Sequence, residues 1–216
     1  MYVYAPGPSD TLAGRPENNN GMYTSDCIET ERLTLRHFRE GDLHDVFALM
    51  SDDYICRMAG IPVFKSLEQA RRFMEDWPGE AYAVTEKGGD RVIGIIQTPF
   101  FMWERRAEIG YWMHKDYRGR GYMTEAVRAV CEELFRDAGC EEIRICVYVG
   151  NEASERVALN CGFHLMYDFY INAVCSPYGT VESEVCYCKT AEDMEWECRG
   201  DAFFSTADPA VRRAVS

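Results

Sequence analysis

Between Tyr111 and Ala126 the chain reads YWMHKDYRGRGYMTEA, its most specific set of residues for chemistry. An apolar, strand-like run enters a turn bearing Gly119 and Gly121, and the turn opens into a long helical pattern. The first amides of a helix have no partner within it, and the helix dipole is positive at that end. A phosphate or pyrophosphate suits such a junction. Glycine lets the backbone approach a ligand with no Cβ in the way. Arg118 and Arg120 add positive charge, and Thr124 offers a hydroxyl in the first helical turn. A GxG turn by itself also describes a plain strand-to-helix connection. The segment does not fit two other phosphate loops. The GxxxxGKS/T pattern is absent, and the dinucleotide fingerprint lacks its third glycine and sits outside the first βαβ unit.

The other reactive residue types point away from a metal. His37, His44, His114 and His164 show no ligand spacing, and the ten cysteines include no CxxC pair. Cys131, Cys146 and Cys161 stand in apolar or periodic stretches, where a thiol behaves as a small hydrophobe. Cys186 and Cys188 would share one face of a strand. The expectation is reduced, structural thiols and no metal. Nothing activating flanks Cys146 or Cys161, which argues against a cysteine nucleophile.

Elements must hold these residues, and hydrophobic periodicity predicts them. Residues 32–37 alternate as a strand, and Asp42 reads as the N-cap of a helix burying Leu43, Val46, Phe47 and Met50. Ser66 to Gln69 matches a capping box ahead of Ala70, Phe73, Met74 and Trp77, with Pro78 as the stop. Strands at Ala81–Glu86 and 91–98 flank Lys87-Gly88-Gly89-Asp90, a hairpin turn. Residues 107–113 form a strand ahead of the glycine turn. Met123, Val127, Val130, Leu134 and Ala138 stripe the helix after it. Residues 142–149 alternate as a strand, 151–161 read as a short helix, and 163–172 with Val181–Thr190 as closing strands. This order predicts an α+β fold. A mixed, mostly antiparallel twisted sheet carries helices on both faces, with one parallel crossover through the helix at 123–138.

Residues 118–123 resemble the pyrophosphate loop of the GNAT superfamily of N-acetyltransferases, which reads Q/R-x-x-G-x-G/A. Arg118, Gly121 and Met123 fall on the marked positions, Met123 standing where a small residue is usual. Ile28 to Arg36 (IETERLTLR) looks like the first strand of the Rim-type branch, which acetylates ribosomal-protein N-termini. Residues 107–113 (AEIGYWM) resemble that branch's central strand. Asn151, Ser154, Val157 and Gly162-Phe163 follow its N-x-x-S-x-x-V…G-F pattern. The resemblance covers roughly residues 28–190. It implies six to seven strands, acetyl-CoA as cosubstrate and a primary amine as acceptor, either a protein N-terminus or a small amine.

The resemblance also implies roles. Acetyl-CoA would be held by Trp112, Met113, His114, Arg118, Gly119, Arg120, Gly121, Tyr122, Met123, Thr124 and Asn151, the last on the pantetheine arm. Transfer would be direct, in one ternary complex, with no acyl-enzyme. An alkylammonium with a pKa near 10 must lose a proton before it attacks. Glu108 stands where relatives keep a carboxylate base that acts through water. A backbone amide near Trp112 or Met113 would meet the developing oxyanion. Ala158 occupies the position of the acid tyrosine of many relatives, which leaves Ser154 as the candidate acid. Equally, Glu108 could be a solvated strand residue, Ser154 a capping residue and Asn151 the N-cap of its own helix. Tyr54, Met58, Phe64, Trp103 and Tyr178 are candidate linings of the acceptor pocket.

With 36 acidic against 23 basic side chains the net charge is −13, which disfavours a general nucleic-acid binder, since phosphate attraction needs a basic surface. Such a surface suits a cationic substrate and also, more simply, solubility. No apolar run approaches the roughly 20 residues that span a bilayer, and no signal-peptide pattern opens the chain. The expectation is a cytoplasmic monomer or homodimer acting without membrane. Residues 1–26 read as a tail, 27–191 as the acetyltransferase domain and 192–216 as a second tail, with Phe203 and Phe204 as a docking hint. Two other readings stay open. One is a non-catalytic acyl-CoA-binding or sensor domain on the same fold, suggested by Ala158 and Met123; the other is NAD binding through the GxG turn.

Overall fold

The computed structural model describes residues 25–77, 79–166 and 172–198. The tail through residue 24, the Pro78 stop, residues 167–171 of the first closing strand, and the tail past 198 with Phe203 and Phe204 lie outside the described residues. In chain order the elements are β1 (Cys27–Glu29), β2 (Leu33–Arg36), α1 (Leu43–Met50), α2 (Asp53–Met58), α3 (Leu67–Asp76), β3 (Ala81–Glu86), β4 (Val92–Gln97) and β5 (Phe100–Phe101). Next come β6 (Arg106–Glu108), β7 (Gly110–Met113), α4 (Tyr122–Arg136), β8 (Glu142–Tyr148), α5 (Glu152–Asn160), β9 (His164–Leu165), β10 (Asn172–Cys175), β11 (Val181–Thr190) and α6 (Ala191–Cys198). The tail expected from residue 192 therefore begins as a helix.

The α+β architecture is as the periodicity predicts, but the strands divide into two sheets. One runs β1-β2-β3-β4-β7; the other runs β10-β11-β8-β6-β5 and carries β9 on β11. β6 and β8 form the single parallel ladder among the described residues, joined through α4. The division falls at Ile109. Glu108 pairs with Arg144, and the Ile109 N–H donates to Arg144 C=O at 2.8 Å. From Gly110 the chain turns to β4 instead, in register Gly110 with Gln97 through Met113 with Gly94. The expected strand at 107–113 is thus two strands, and β7 and β8 diverge beyond the fork.

Apolar stripes explain the layers. Met123, Val127, Val130 and Leu134 of α4 are buried against Ile143, Ile145 and Val147, the apolar alternation of β8. Ala138 falls past the end of α4. On the other face of the first sheet, α1 and α3 pack through Val46, Leu49, Ala70 and Phe73, and Phe73 meets Trp112 edge-on with ring centroids 6.2 Å apart. Full burial of one such side chain is worth about 1.5–3 kcal/mol, so both stripes hold their helices firmly.

Three local expectations need correction. Asp42 holds the N-cap position of α1 as expected, but its side chain makes no cap bond; its buried carboxylate takes Arg36 Nη1 at 2.7 Å and Nη2 at 2.9 Å, and the Arg39 N–H at 2.7 Å. A buried guanidinium competes for that carboxylate better than a helix amide does. The short helix α2 is unanticipated; Asp52 caps it, accepting from the Ile55 N–H at 3.0 Å. Finally, the thiols are not all reduced. Cys146 of β8 faces Cys186 of β11 in register, and the two form a disulfide with Cα atoms 4.1 Å apart. Strand register created this pair, and residue spacing does not reveal register.

Candidate functional site

The glycine turn is built to leave amides open. Gly121 is the N-cap of α4 with φ of 77°, and Gly119 has φ of 74°, both in the left-handed region that glycine tolerates. Among the described residues, no acceptor meets the amides of Gly119, Arg120, Gly121, Tyr122, Met123 or Thr124. The first paired amide is that of Glu125, which donates to Gly121 C=O at 3.0 Å. The β1–β2 turn pins this loop from behind. Arg32 donates through Nη1 to Arg120 C=O at 3.0 Å and pairs with Glu125 at 2.6 Å, while Thr30 Oγ1 donates to Glu125 at 2.6 Å. Neither Arg32 nor Glu125 was singled out by sequence, since nothing in either motif shows that they meet.

A cleft of about 660 Å³ opens from this loop into the fork between β7 and β8. Its size suits a ligand-binding pocket. On the β7 side, the His114 N–H donates to Ile93 C=O at 2.8 Å. Alternation along an antiparallel strand then turns the Trp112 amide toward β4 and the Tyr111 and Met113 amides toward the fork. Met113 C=O also faces that way, since Arg118 Nε donates to it at 3.0 Å. Of the two amides proposed for an oxyanion, Met113 has the suitable direction.

Across the fork, Ser154 sits in the first turn of α5. Asn151 caps that helix, its Oδ1 accepting from the Ser154 N–H at 3.2 Å while its Nδ2 donates to Met58 C=O at 3.3 Å. The Tyr111 hydroxyl donates to Ser154 C=O at 2.9 Å and lies 2.8 Å from Ser154 Oγ. Burial pushes the Tyr111 phenol well above its ordinary value, only partly offset by its bond to Ser154. It therefore stays protonated and holds the serine in place.

Two carboxylates share the face of the second sheet turned away from α4. Glu108 pairs with Arg144 and Glu184 with Tyr148, and the Cys146–Cys186 disulfide lies on the same face. Glu184 lines the cleft; Glu108 stands off its wall. Burial raises the Glu108 carboxyl against the lowering pull of Arg106 and Arg144. Glu184 is pushed up to about 7, by burial first and then by the charge of Glu108. Cys146, Glu184 and Cys186 bring ligand-type atoms within 4.8 Å of one another, but sulfurs joined in a disulfide are not the thiolates that bind metal.

The cleft thus gathers most of the residues chosen from sequence: Trp112, Met113, Arg118, Gly119, Gly121, Tyr122, Met123, Thr124, Asn151 and Ser154 all line it. His114, Arg120 and Glu108 do not. His114 Nδ1 instead accepts from the Asp116 N–H at 3.3 Å within the turn, and the Arg120 guanidinium lies over the Tyr117 ring at 5.2 Å. Among the acceptor candidates, Tyr54 and Met58 line the cleft. Phe64 packs against Phe73 at 5.8 Å, Trp103 is 96% exposed, and the Tyr178 hydroxyl donates to Ile61 C=O at 2.8 Å. Tyr111, Arg156 and Glu184 were missed. Arg156, two positions after Ser154, had a signal in being the lone cation of that helix pattern.

Comparison with known proteins agrees with this geometry. Residues 32–164 match the acetyltransferase (GNAT) domain family model. An uncharacterized N-acetyltransferase of Bacillus subtilis (strain 168), YoaA, is 30% identical over 144 residues, covering 63% of this chain and 81% of that protein. A GNAT-family acetyltransferase structure from Bacillus anthracis superposes with a TM-score of 0.70 at 26% identity, over 77% of this chain and 99% of its own. RimL, a ribosomal-protein alpha-N-acetyltransferase solved in complex with coenzyme A, has a TM-score of 0.64 at 21% identity, over 76% of this chain and 97% of its own. At that identity the likeness is one of fold.

Proposed function

This chain belongs to the GNAT acetyltransferase family, and we propose that it takes acetyl-CoA as donor and acetylates a primary amine by direct transfer. The observation that carries the reading is the run of unpartnered amides from Gly119 to Thr124 at the mouth of a cleft that passes through the β7–β8 fork. Those amides, with Arg118 beside them, suit the pyrophosphate of coenzyme A. The coenzyme A bound by RimL, on a similar fold, supports the same donor. Along the cleft, the Met113 amide is aimed to stabilise charge on the thioester oxygen. Ser154, which lines the cleft and is steadied by Tyr111, is the group we assign to protonate the departing thiolate. A carboxylate on the far face that reaches the cleft supplies the base that an ammonium requires. A protein N-terminus or a small amine fits this scheme, in a cytoplasmic setting.

The test is incubation with acetyl-CoA and a panel of primary amines, with coenzyme A and acetylated product measured by chromatography and mass spectrometry. Amine-dependent release of coenzyme A is the expected result. Thermal stabilisation by acetyl-CoA with no release on any amine would instead indicate a non-catalytic acyl-CoA-binding domain. Stabilisation by NAD alone would overturn the loop assignment.

A further inference from the structure

We infer that Glu184 receives the ammonium group of the acceptor and takes its proton, making the acceptor a cationic primary amine that enters from the face opposite α4. The inference rests on the acetyltransferase reading and goes beyond it in assigning the acceptor end of the cleft. The two faces of β8 set the geometry. Ile143, Ile145 and Val147 point into the core beneath α4, whose N-terminus carries the open amides. Cys146 and Tyr148 point the other way, and on that side β11 presents Glu184 directly opposite Tyr148. A donor held at the α4 end and an acceptor on the Glu184 side would therefore reach the fork from opposite faces.

Charge points to the same end. Among the described residues that line the cleft, Arg118 and Arg156 are the cations and Glu184 is the one carboxylate. Its carboxylate has no hydrogen-bond or ion-pair partner among the described residues. Its counterparts nearby are committed: Glu142 to Arg144 at 2.5 Å, and Glu104 to Arg106 at 2.7 Å. A half-buried carboxylate left unpaired in a cleft is costly unless a cation arrives to meet it. The groups that face it are Tyr148 on β8, Cys146 locked in the disulfide, and Glu108 across β8, with Arg106 and Arg144 beyond Glu108. Tyr54 and Met58, from α2, bring no charge. The held-up acidity, near 7, leaves Glu184 partly ionised and basic enough to accept a proton at neutral pH.

The step balances. The ammonium gives one proton to Glu184, and the freed lone pair forms the C–N bond as the C–S bond of the thioester breaks. The nitrogen's second proton reaches the departing thiolate through the Ser154 hydroxyl, which gives one proton and takes one, and Glu184 returns its proton to solvent. The products are an N-acetyl amide, coenzyme A and one proton. Glu108 plays a positioning part, since its charge raises the basicity of Glu184 without reaching the cleft.

The experiment measures kcat/KM against pH for the full chain, Glu184→Gln and Glu108→Gln. The probes are acetyl-CoA with a serine-initiated peptide, spermine and ethylamine, and acetyl-CoA affinity is read separately by calorimetry. Glu184→Gln is expected to lose about 10²–10⁴-fold at pH 7, the usual share of a general base. It should recover toward pH 10, where the amine is already neutral, with acetyl-CoA affinity unchanged. Glu108→Gln should lose less and shift the acidic limb of the profile downward. A Glu184→Gln profile equal to the full chain's overturns the assignment and leaves the acetyltransferase reading standing. No coenzyme A release by the unmodified chain with any of the three amines removes both.

Discussion

Replacing Glu184 by Gln should stabilise the fold at alkaline pH while it impairs turnover, a combination that simple damage does not produce. The folded state holds this carboxyl at about 7 against an ordinary 4.5, so ionising it costs the folded state more than the unfolded chain. A group raised in this way contributes stability that is fully present below about pH 4.5 and lost as pH climbs through 7. At about 1.36 kcal/mol per pH unit, the gap sets a ceiling of about 3.4 kcal/mol. Because Glu184 is half-buried and water reaches it, about 1–2 kcal/mol is the reasonable expectation. For a domain of this size that is a rise in Tm of about 2–8 °C at pH 8. At pH 5 the carboxyl is protonated and close to an amide in shape and charge, so little change is expected there. Thermal unfolding followed by circular dichroism at pH 5 and pH 8 decides it. An equal change at both values, or a loss confined to pH 8, would refute the claim that an uncompensated charge sits at this position. Glu108→Gln should reproduce part of the gain, and the double variant should fall short of the sum, because each charge penalises the other.

At the loop, Gly121→Ala meets only Arg32 Nη2 at 3.5 Å, so its cost should come from φ and amount to about 1–2 kcal/mol by chemical denaturation. Gly119→Ala carries a similar penalty, with its new Cβ in open space where the donor would lie; calorimetry should show weaker acetyl-CoA binding, and unchanged affinity in both variants would dismiss the loop. For the disulfide, thiol titration in denaturant should find two fewer reactive thiols without reductant than after reduction, and Cys186→Ser should abolish the difference.

Element types were legible because periodicity is a local property. The stripe of α4, the Gly88 hairpin and the alternation of β8 each lie within a few turns or residues of chain. Where a local rule failed, a nonlocal partner had intervened. Asp42 has the composition of a cap but is taken by Arg36, and the strand at 107–113 has unbroken apolar character but changes partners at Ile109. The fork matters most for function, and it depends on which neighbour each half of that strand finds.

The same distinction separates the two ends of the candidate site. Chemistry done by backbone amides needs glycine and a helix start in sequence, so the Gly119–Thr124 loop could be found in one line of text. Chemistry done by side chains meeting across elements leaves no such trace. Tyr111 and Ser154 are 43 positions apart, and Cys146 and Cys186 are 40; both pairs exist because of fold and register alone. Glu184 is the sharpest case, since in sequence it is one acid within an acidic segment. Only pairing with Tyr148, beside a β8 whose apolar side faces α4, turns it toward the cleft. A one-residue slip of β11 against β8 would carry Glu184 to the other face and part the cysteines together. Register at β8–β11 is therefore as much a determinant of the acceptor end as any residue type within it.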